Sequence, residues 1–283
     1  PTLGRAKDRR RCAPLGKMRC ATLVLLCAEA SAYLLASRPR PAATRASVSM
    51  ALPELYVYDH CPFCVRVRVA FGAAGVPHKL VFMGNDDVET PTAMVGKKIA
   101  PILVDEDGAM MESLDIIAKL APEGSIKPAT DRSDIKAWQK SIQTTMRKLC
   151  RPRYVMVPLP EFMQKSGRDA FVNNHQMPPF EKADWKGNAD MPIETKYKYY
   201  MEALDETPAL VADLNEKLKE LEPMICCPEC ATAGGFSYDD VDLWARLRSL
   251  TLIKGLVYPP KVRAYLDYYE AKGDVPLYDV MAL

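Results

Sequence analysis

Two cysteines three positions apart, Cys61 and Cys64, stand where the chain changes from strand-like to helix-like composition. Leu55-Tyr56-Val57-Tyr58 precedes them as a short apolar run and reads as a strand. Val65 to Ala74 follows with helical composition and runs out near Gly75 and Pro77. Pro62 suits the first helical position, where an N–H has no partner in any case and a fixed φ helps. Cys61 therefore faces the unpaired N–H groups of the first turn, and these, with the helix dipole, favour a negative charge. Thiols so placed have pKa values of roughly 3.5–7.5, and the thiolate is the reactive form. Cys64 lies one turn on, on the same face, within reach of a disulfide back to Cys61. This strand–CxxC–helix order reads as redox chemistry. A closed zinc site wants four ligands, and the second pair, Cys227-Pro228-Glu229-Cys230, lies far downstream in a different kind of sequence. No metal is assigned.

The rest of the chain sets the frame for that pair. Its 283 residues suit one large or two modest domains with real cores. Apolar content of 48% and charged content of 26% are those of an ordinary globular protein. The net charge of +2 conceals a tilt, since residues 1–50 carry ten Lys and Arg against Asp8 and Glu29 only. Without that segment the chain is acidic, which argues against a nucleic-acid groove. Nine cysteines are too sparse for a disulfide scaffold, and Cys12, Cys20 and Cys27 lie in the N-terminal segment.

The expected organisation has four parts. Residues 1–50 read as a targeting presequence: the apolar run Cys20 to Ala36, interrupted by Glu29, followed by an acid-free Arg/Ser/Ala stretch to Ser49. The two-part form favours a plastid, with a mitochondrion or the cytoplasm as alternatives. The apolar run is too short for a bilayer span, so no membrane is expected for the mature form. Residues 51–121 read as a βαβ-ββα domain, with strands at Lys79-Leu80-Val81-Phe82, Ile102-Leu103-Val104 and Ala109-Met110-Met111. Ser113 caps a helix from Leu114 to Leu120. Residues 122–131 form a linker, and 132–283 an all-helical domain. Its apolar stripes are Trp138, Ile142, Met146 and Leu149; Leu210, Leu214, Leu218 and Leu221; and Trp244, Leu247 and Thr251. Ser237-Tyr238-Asp239-Asp240 has the form of a capping box. Lys165 to Pro192, polar with several Gly and Pro, reads as a long surface connection.

Several segments in order resemble the glutaredoxin 2 family, the glutaredoxins built like glutathione transferases. They are Leu55 through Cys64, Asn85-Asp86-Asp87, Glu89-Thr90-Pro91-Thr92, Met94 through Leu103, Glu112 through Ile116, Pro152-Arg153-Tyr154, and Asp239 onward to the C-terminus. The resemblance implies a thioredoxin-like domain followed by a helical one. It implies glutathione-dependent reduction of protein disulfides and glutathione mixed disulfides, with Cys61 as nucleophile and Cys64 as resolving thiol. Glutathione is the implied co-substrate, and disulfide-bonded or glutathionylated proteins are the partners of an expected monomer. Pro62, Phe63, Lys98, Ala100, Pro101, Glu112 and Ser113 are the implied glutathione-binding residues, with Pro101 as a cis proline. Glutathione transferase or dehydroascorbate reductase activity on the same scaffold is the alternative. It needs only Cys61, and the presence of Cys64 favours disulfide chemistry. A glutathione-binding or iron–sulfur module is the non-enzymatic alternative; Pro62 and Phe63 stiffen and fill the site against a cluster.

Of the remaining candidates, His60 reads as an exposed residue before the helix, and His78 and His175 as loop residues. Arg66 and Arg68 are two apart on a helix, so at most one flanks the site. Cys226-Cys227-Pro228-Glu229-Cys230 reads as an exposed loop of thiols, with Cys227 and Cys230 able to form an accessory pair.

Overall fold

The computed structural model describes residues 51–187 and 191–283, so the expected presequence, 1–50, lies outside the described residues. These described residues form one compact unit. β1 (Glu54–Val57) pairs in parallel with β2 (Lys79–Phe82), setting Leu55 opposite Leu80. On its other side β1 pairs antiparallel with β3 (Ile102–Asp105), which pairs antiparallel with β4 (Gly108–Met111). The strand order is β2-β1-β3-β4. α1 (Pro62–Ala74) crosses between β1 and β2, and α3 (Ser113–Leu120) follows β4. This is the expected βαβ-ββα, thioredoxin-like arrangement. A further short helix, α2 (Glu89–Val95), lies between β2 and β3.

α1 is the spine of the molecule. Cys64, Val67 and Phe71 bury against Leu55, Val57 and Leu103 of the sheet. Val65 and Val69 bury into the core of the helical region. A helix apolar on two sides in this way is a buried helix. Gly75 ends it at φ 69, the left-handed conformation that glycine accepts at a helix end. Near that end α1 crosses a C-terminal helix so closely that a Cβ on Gly72 would stand 2.0 Å from the Gly273 carbonyl oxygen.

The helical region comprises α4 (Ser133–Ser141), α5 (Gln143–Tyr154), α6 (Lys165–Asn174), α7 (Lys182–Gly187), α8 (Ile193–Asp205), α9 (Thr207–Leu221), α10 (Tyr238–Leu250) and α11 (Pro260–Gly273). The apolar stripes are core as read: Trp138, Ile142, Leu149, Leu214, Leu218, Leu221, Trp244 and Leu247 are buried together. The capping box forms at α10, with Asp240 accepting from the Ser237 backbone N–H at 2.8 Å. The segment Lys165 to Pro192 departs from its reading. It carries α6 and α7, and Phe171 and Trp185 are fully buried, so two short helices packed on the core replace the surface connection.

Asp59, just beyond β1, ties the sheet to α10. Its carboxylate accepts from Arg248 at 3.0 and 3.1 Å, from the Tyr278 hydroxyl at 2.7 Å, and from Arg68. Burial alone would raise this carboxyl, but Arg248 and Arg68 and then the Tyr278 hydroxyl bring it down to about 2.

Candidate functional site

Cys61 occupies the N-cap of α1 in extended conformation, with Pro62 at the first helical position. Cys61 is half-buried, Cys64 is fully buried beneath it, and both thiols are free. The Cys61 thiol is lowered to about 6. The largest contribution is a hydrogen bond from the Cys64 thiol. Burial opposes it; the neighbouring His60 imidazole and the Cys64 and Phe63 backbone N–H groups add to it. Cys64 moves the other way, well above the ordinary thiol range, because it is buried and because it shares its proton with Cys61. Its sulfur accepts from the Tyr58 backbone N–H at 3.4 Å. One pair of thiols is thus split into an acidic outer one and a protonated inner one.

His60 is not exposed, as its sequence position suggested, but buried. Its backbone N–H and its Nδ1–H both donate to Glu161 Oε1, at 2.9 and 2.5 Å. Its ring packs against Tyr154, Phe162 and Phe171. Burial would raise the Glu161 carboxyl, yet the bonds from His60 hold it below the carboxylate range. A buried carboxylate therefore holds the imidazole that faces Cys61. Glu161 stands 101 positions from His60, and no spacing pattern in the sequence links the two.

The pair opens onto a cleft of about 720 Å³ between α1, the β3 approach and the helices α5 to α7. Of the residues named from the sequence, Cys61, Pro62, Phe63, Lys98 and Ala100 line it. Phe63 is half-exposed at the rim, with the Arg66 guanidinium 4.8 Å from its ring centre. Pro101 is buried behind Ala100, and the Ala100–Pro101 peptide bond is cis. Lys98 donates to the Asn85 carbonyl oxygen, and burial lowers its ammonium. Glu112 and Ser113 are not among the lining residues. Ser113 is buried in the first turn of α3 rather than capping it; the cap position falls to exposed Glu112, at φ 76.

Among the described residues, seven Lys and Arg side chains line the cleft, Lys98, Arg147 and Arg151 among them, and no Asp or Glu does. Arg66 is one of the seven, whereas Arg68 turns inward to Asp59. Lys182 and Lys186 come from α7, inside the segment read as a connection. His175 also lines the cleft, stacked on Phe171, and is not a free loop residue. Its Nδ1–H donates to the Phe171 carbonyl at 2.9 Å, and burial pushes its imidazole down to about 3, so it stays neutral. The cleft thus combines an acidic thiol with a positive field that favours an anionic ligand.

Residues 193–282 match the family model described as Glutaredoxin 2, C terminal domain. Residues 55–123 match the model described as Glutathione S-transferase, N-terminal domain. The chain is 32% identical over 238 residues to Glutaredoxin 2 of Escherichia coli strain K12, covering 81% of this chain and 100% of that protein. Among solved structures it is similar to Glutaredoxin 2 from Salmonella typhimurium in complex with glutathione. There the TM-score is 0.69 at 28% identity, over 82% of this chain and 100% of that one.

Proposed function

The chain belongs to the glutaredoxin 2 family, and on that premise we propose that it is a glutathione-dependent thiol–disulfide oxidoreductase worked by Cys61 and Cys64. The observation that carries the reading is the split pair: an outer thiol lowered to about 6 above an inner thiol held protonated. At neutral pH the Cys61 thiolate attacks the glutathionyl sulfur of a glutathionylated protein. The sulfur–sulfur bond breaks, the protein thiolate leaves, and Cys61 carries the glutathionyl group. A second glutathione thiolate attacks that group, oxidised glutathione departs, and the Cys61 thiolate returns. With a protein disulfide, Cys61 forms a mixed disulfide and Cys64 resolves it. Cys64 is held high partly by the charge on Cys61. Once Cys61 is tied up in a mixed disulfide that charge is gone, and the inner thiol loses its proton more readily.

Glutathione is proposed to lie in the cleft, its carboxylates drawn by the surrounding cations. Ala100, next to Pro101, would offer its backbone to the cysteinyl part, and Lys98 would meet a carboxylate. Pro62 and Phe63 would wall the sulfur. The Tyr58 hydroxyl, buried at the cleft without a partner among the described residues, would take a ligand hydrogen bond. Glu112 and Ser113 are retained for the γ-glutamyl end. A non-glycine residue at φ 76 stores strain of the kind that clusters at ligand sites. The division into 51–121, 122–131 and 132–283 is proposed with this reading, the site lying where the first part meets the last.

The deciding experiment is reduction of a glutathione mixed disulfide by residues 51–283, coupled to glutathione reductase. Turnover is expected, abolished by Cys61→Ser and retained by Cys64→Ser. Turnover that survives Cys61→Ser would refute the assignment.

A further inference from the structure

A second group of thiols lies in the connection between α9 and α10, outside the machinery described above. Cys226, Cys227 and Cys230 present sulfur atoms that all lie within 4.8 Å of one another, and the Cys227 and Cys230 sulfurs are 3.0 Å apart. The loop is not the exposed strip its sequence suggested. Cys226 is exposed, Cys227 half-buried and Cys230 buried. Its backbone closes as a tight hairpin. Cys227 and Cys230 exchange both N–H···O bonds, at 3.0 and 3.2 Å, and the Cys226 N–H donates to the Ala231 carbonyl at 3.2 Å. Pro228 and Glu229 form the turn.

The hairpin is fixed from several sides. The Asp240 carboxylate accepts from the Ala231 N–H, and the Tyr269 hydroxyl donates to the Glu229 carbonyl. The Arg132 guanidinium donates to the carbonyls of Met224 and Ala231, at 3.0 and 3.3 Å. Lys261 Nζ donates to the Ile225 carbonyl at 3.1 Å. Three thiols are therefore held by rigid elements, with a cation at each flank of the loop.

We propose that Cys226, Cys227 and Cys230 form a binding site for a soft, thiophilic d10 cation. Thiolates select copper(I), zinc and their heavier relatives over hard ions. Sulfurs about 2.3 Å from a common ion in tetrahedral array stand roughly 3.8 Å apart, inside the spread found here. The third sulfur distinguishes this site from a plain dithiol. Successive residues of an extended strand send their side chains to opposite faces. A disulfide would need only Cys227 and Cys230. Cys226 nonetheless brings its sulfur to the other two. No fourth His, Cys, Asp or Glu joins them among the described residues, so one coordination position faces solvent on the Cys226 side. Three thiolates on a divalent ion leave a net negative site; Lys261 lies beside the loop as a cation, while Arg132 is paired with Asp134 and Asp240 adds an anion. Binding displaces the thiol protons, so it strengthens as pH rises.

The probe is cadmium(II), whose thiolate complexes absorb in the ultraviolet. Reduced residues 51–283, which leave out Cys12, Cys20 and Cys27, with Cys61→Ser and Cys64→Ser to silence the other pair, are titrated without oxygen. One equivalent per chain is expected at the loop. Cys227→Ser or Cys230→Ser should abolish it, and Cys226→Ser should weaken it at least tenfold. An affinity unchanged by Cys226→Ser overturns the three-thiol site. Because a serine variant could fail to fold, the unsubstituted chain carries a second readout: alkylation followed by peptide mass spectrometry. Cadmium(II) should protect Cys226, Cys227 and Cys230 together. Cys226 alkylated at its metal-free rate, or a Cys227–Cys230 disulfide forming in cadmium-saturated protein, overturns the proposal.

Discussion

The acidity of Cys61 is assigned first to the thiol beneath it, and this can be removed one atom at a time. Cys64 is fully buried in the sheet core, and its hydrogen bond is the largest contribution lowering Cys61 to about 6. A hydrogen bond to a charged group contributes about 1.5–3 kcal/mol, and one pH unit corresponds to about 1.4 kcal/mol. Cys64→Ala should therefore move the Cys61 midpoint up by about one to two pH units. At pH 7 the thiolate fraction would fall from roughly nine-tenths to between a half and a tenth. Cys64→Ser restores a hydroxyl donor in nearly the same place and should recover most of the acidity. The assay is the pH dependence of alkylation at Cys61, followed by peptide mass spectrometry so that the other thiols do not interfere. A cavity effect would move both variants alike, whereas a hydrogen bond separates them. Alanine and serine variants with the same midpoint as the parent would refute the assignment and leave His60 and the helix start as the source.

Two further outcomes rest on the geometry, and a third on the sequence alone. Glu161→Gln removes the carboxylate that holds His60, so the Cys61 midpoint should rise; an unmoved alkylation profile would show that the imidazole contributes nothing. Asp59 is held at about 2 against an ordinary 3.8, which is worth about 2 kcal/mol. Since its folded value is the lower one, that stability is complete above about pH 4 and is lost as pH falls towards 2. Asp59→Asn should therefore cost about 3–5 kcal/mol of stability at neutral pH, with Arg248 left buried and unpaired, seen as a lower melting temperature, and should flatten the acid limb; an unchanged melt would reject the pair as a tie between sheet and α10. We also propose that residues 1–50 direct the protein to an organelle, plastid favoured: a fluorescent reporter carrying residues 18–60 should enter it, and a cytosolic reporter would remove the proposal.

What the sequence disclosed about this molecule was local. The cysteine pair, Pro62 at the helix start and the strands around them depend on neighbours within a few residues, so composition and spacing find them. The capping box at Ser237 is local in the same sense. What the sequence hid depends on distance along the chain or on backbone geometry. Glu161 completes His60 from 101 positions away and Arg248 completes Asp59 from 189, and no spacing rule links such partners. Lys165 to Pro192 failed for another reason. Helices of ten and six residues are too short for a 3.6-residue period to stand out among Gly and Pro, and the burial of Phe171 and Trp185 decides their structure. Ser113 looked like a cap because its side chain suits one, but the turn out of β4 puts Glu112 there, in a conformation that no residue type announces. The misread segment Lys165 to Pro192 has a particular location. Phe171, His175, Lys182 and Lys186 all belong to α6, α7 or the turn between them, and all line the wall of the cleft facing Cys61. The reacting sulfur is thus set by the local half of the sequence, while the surface that meets the second substrate is set by the half that only packing assembles. Substitutions in α6 and α7 should accordingly alter which disulfides are accepted before they alter the acidity of Cys61.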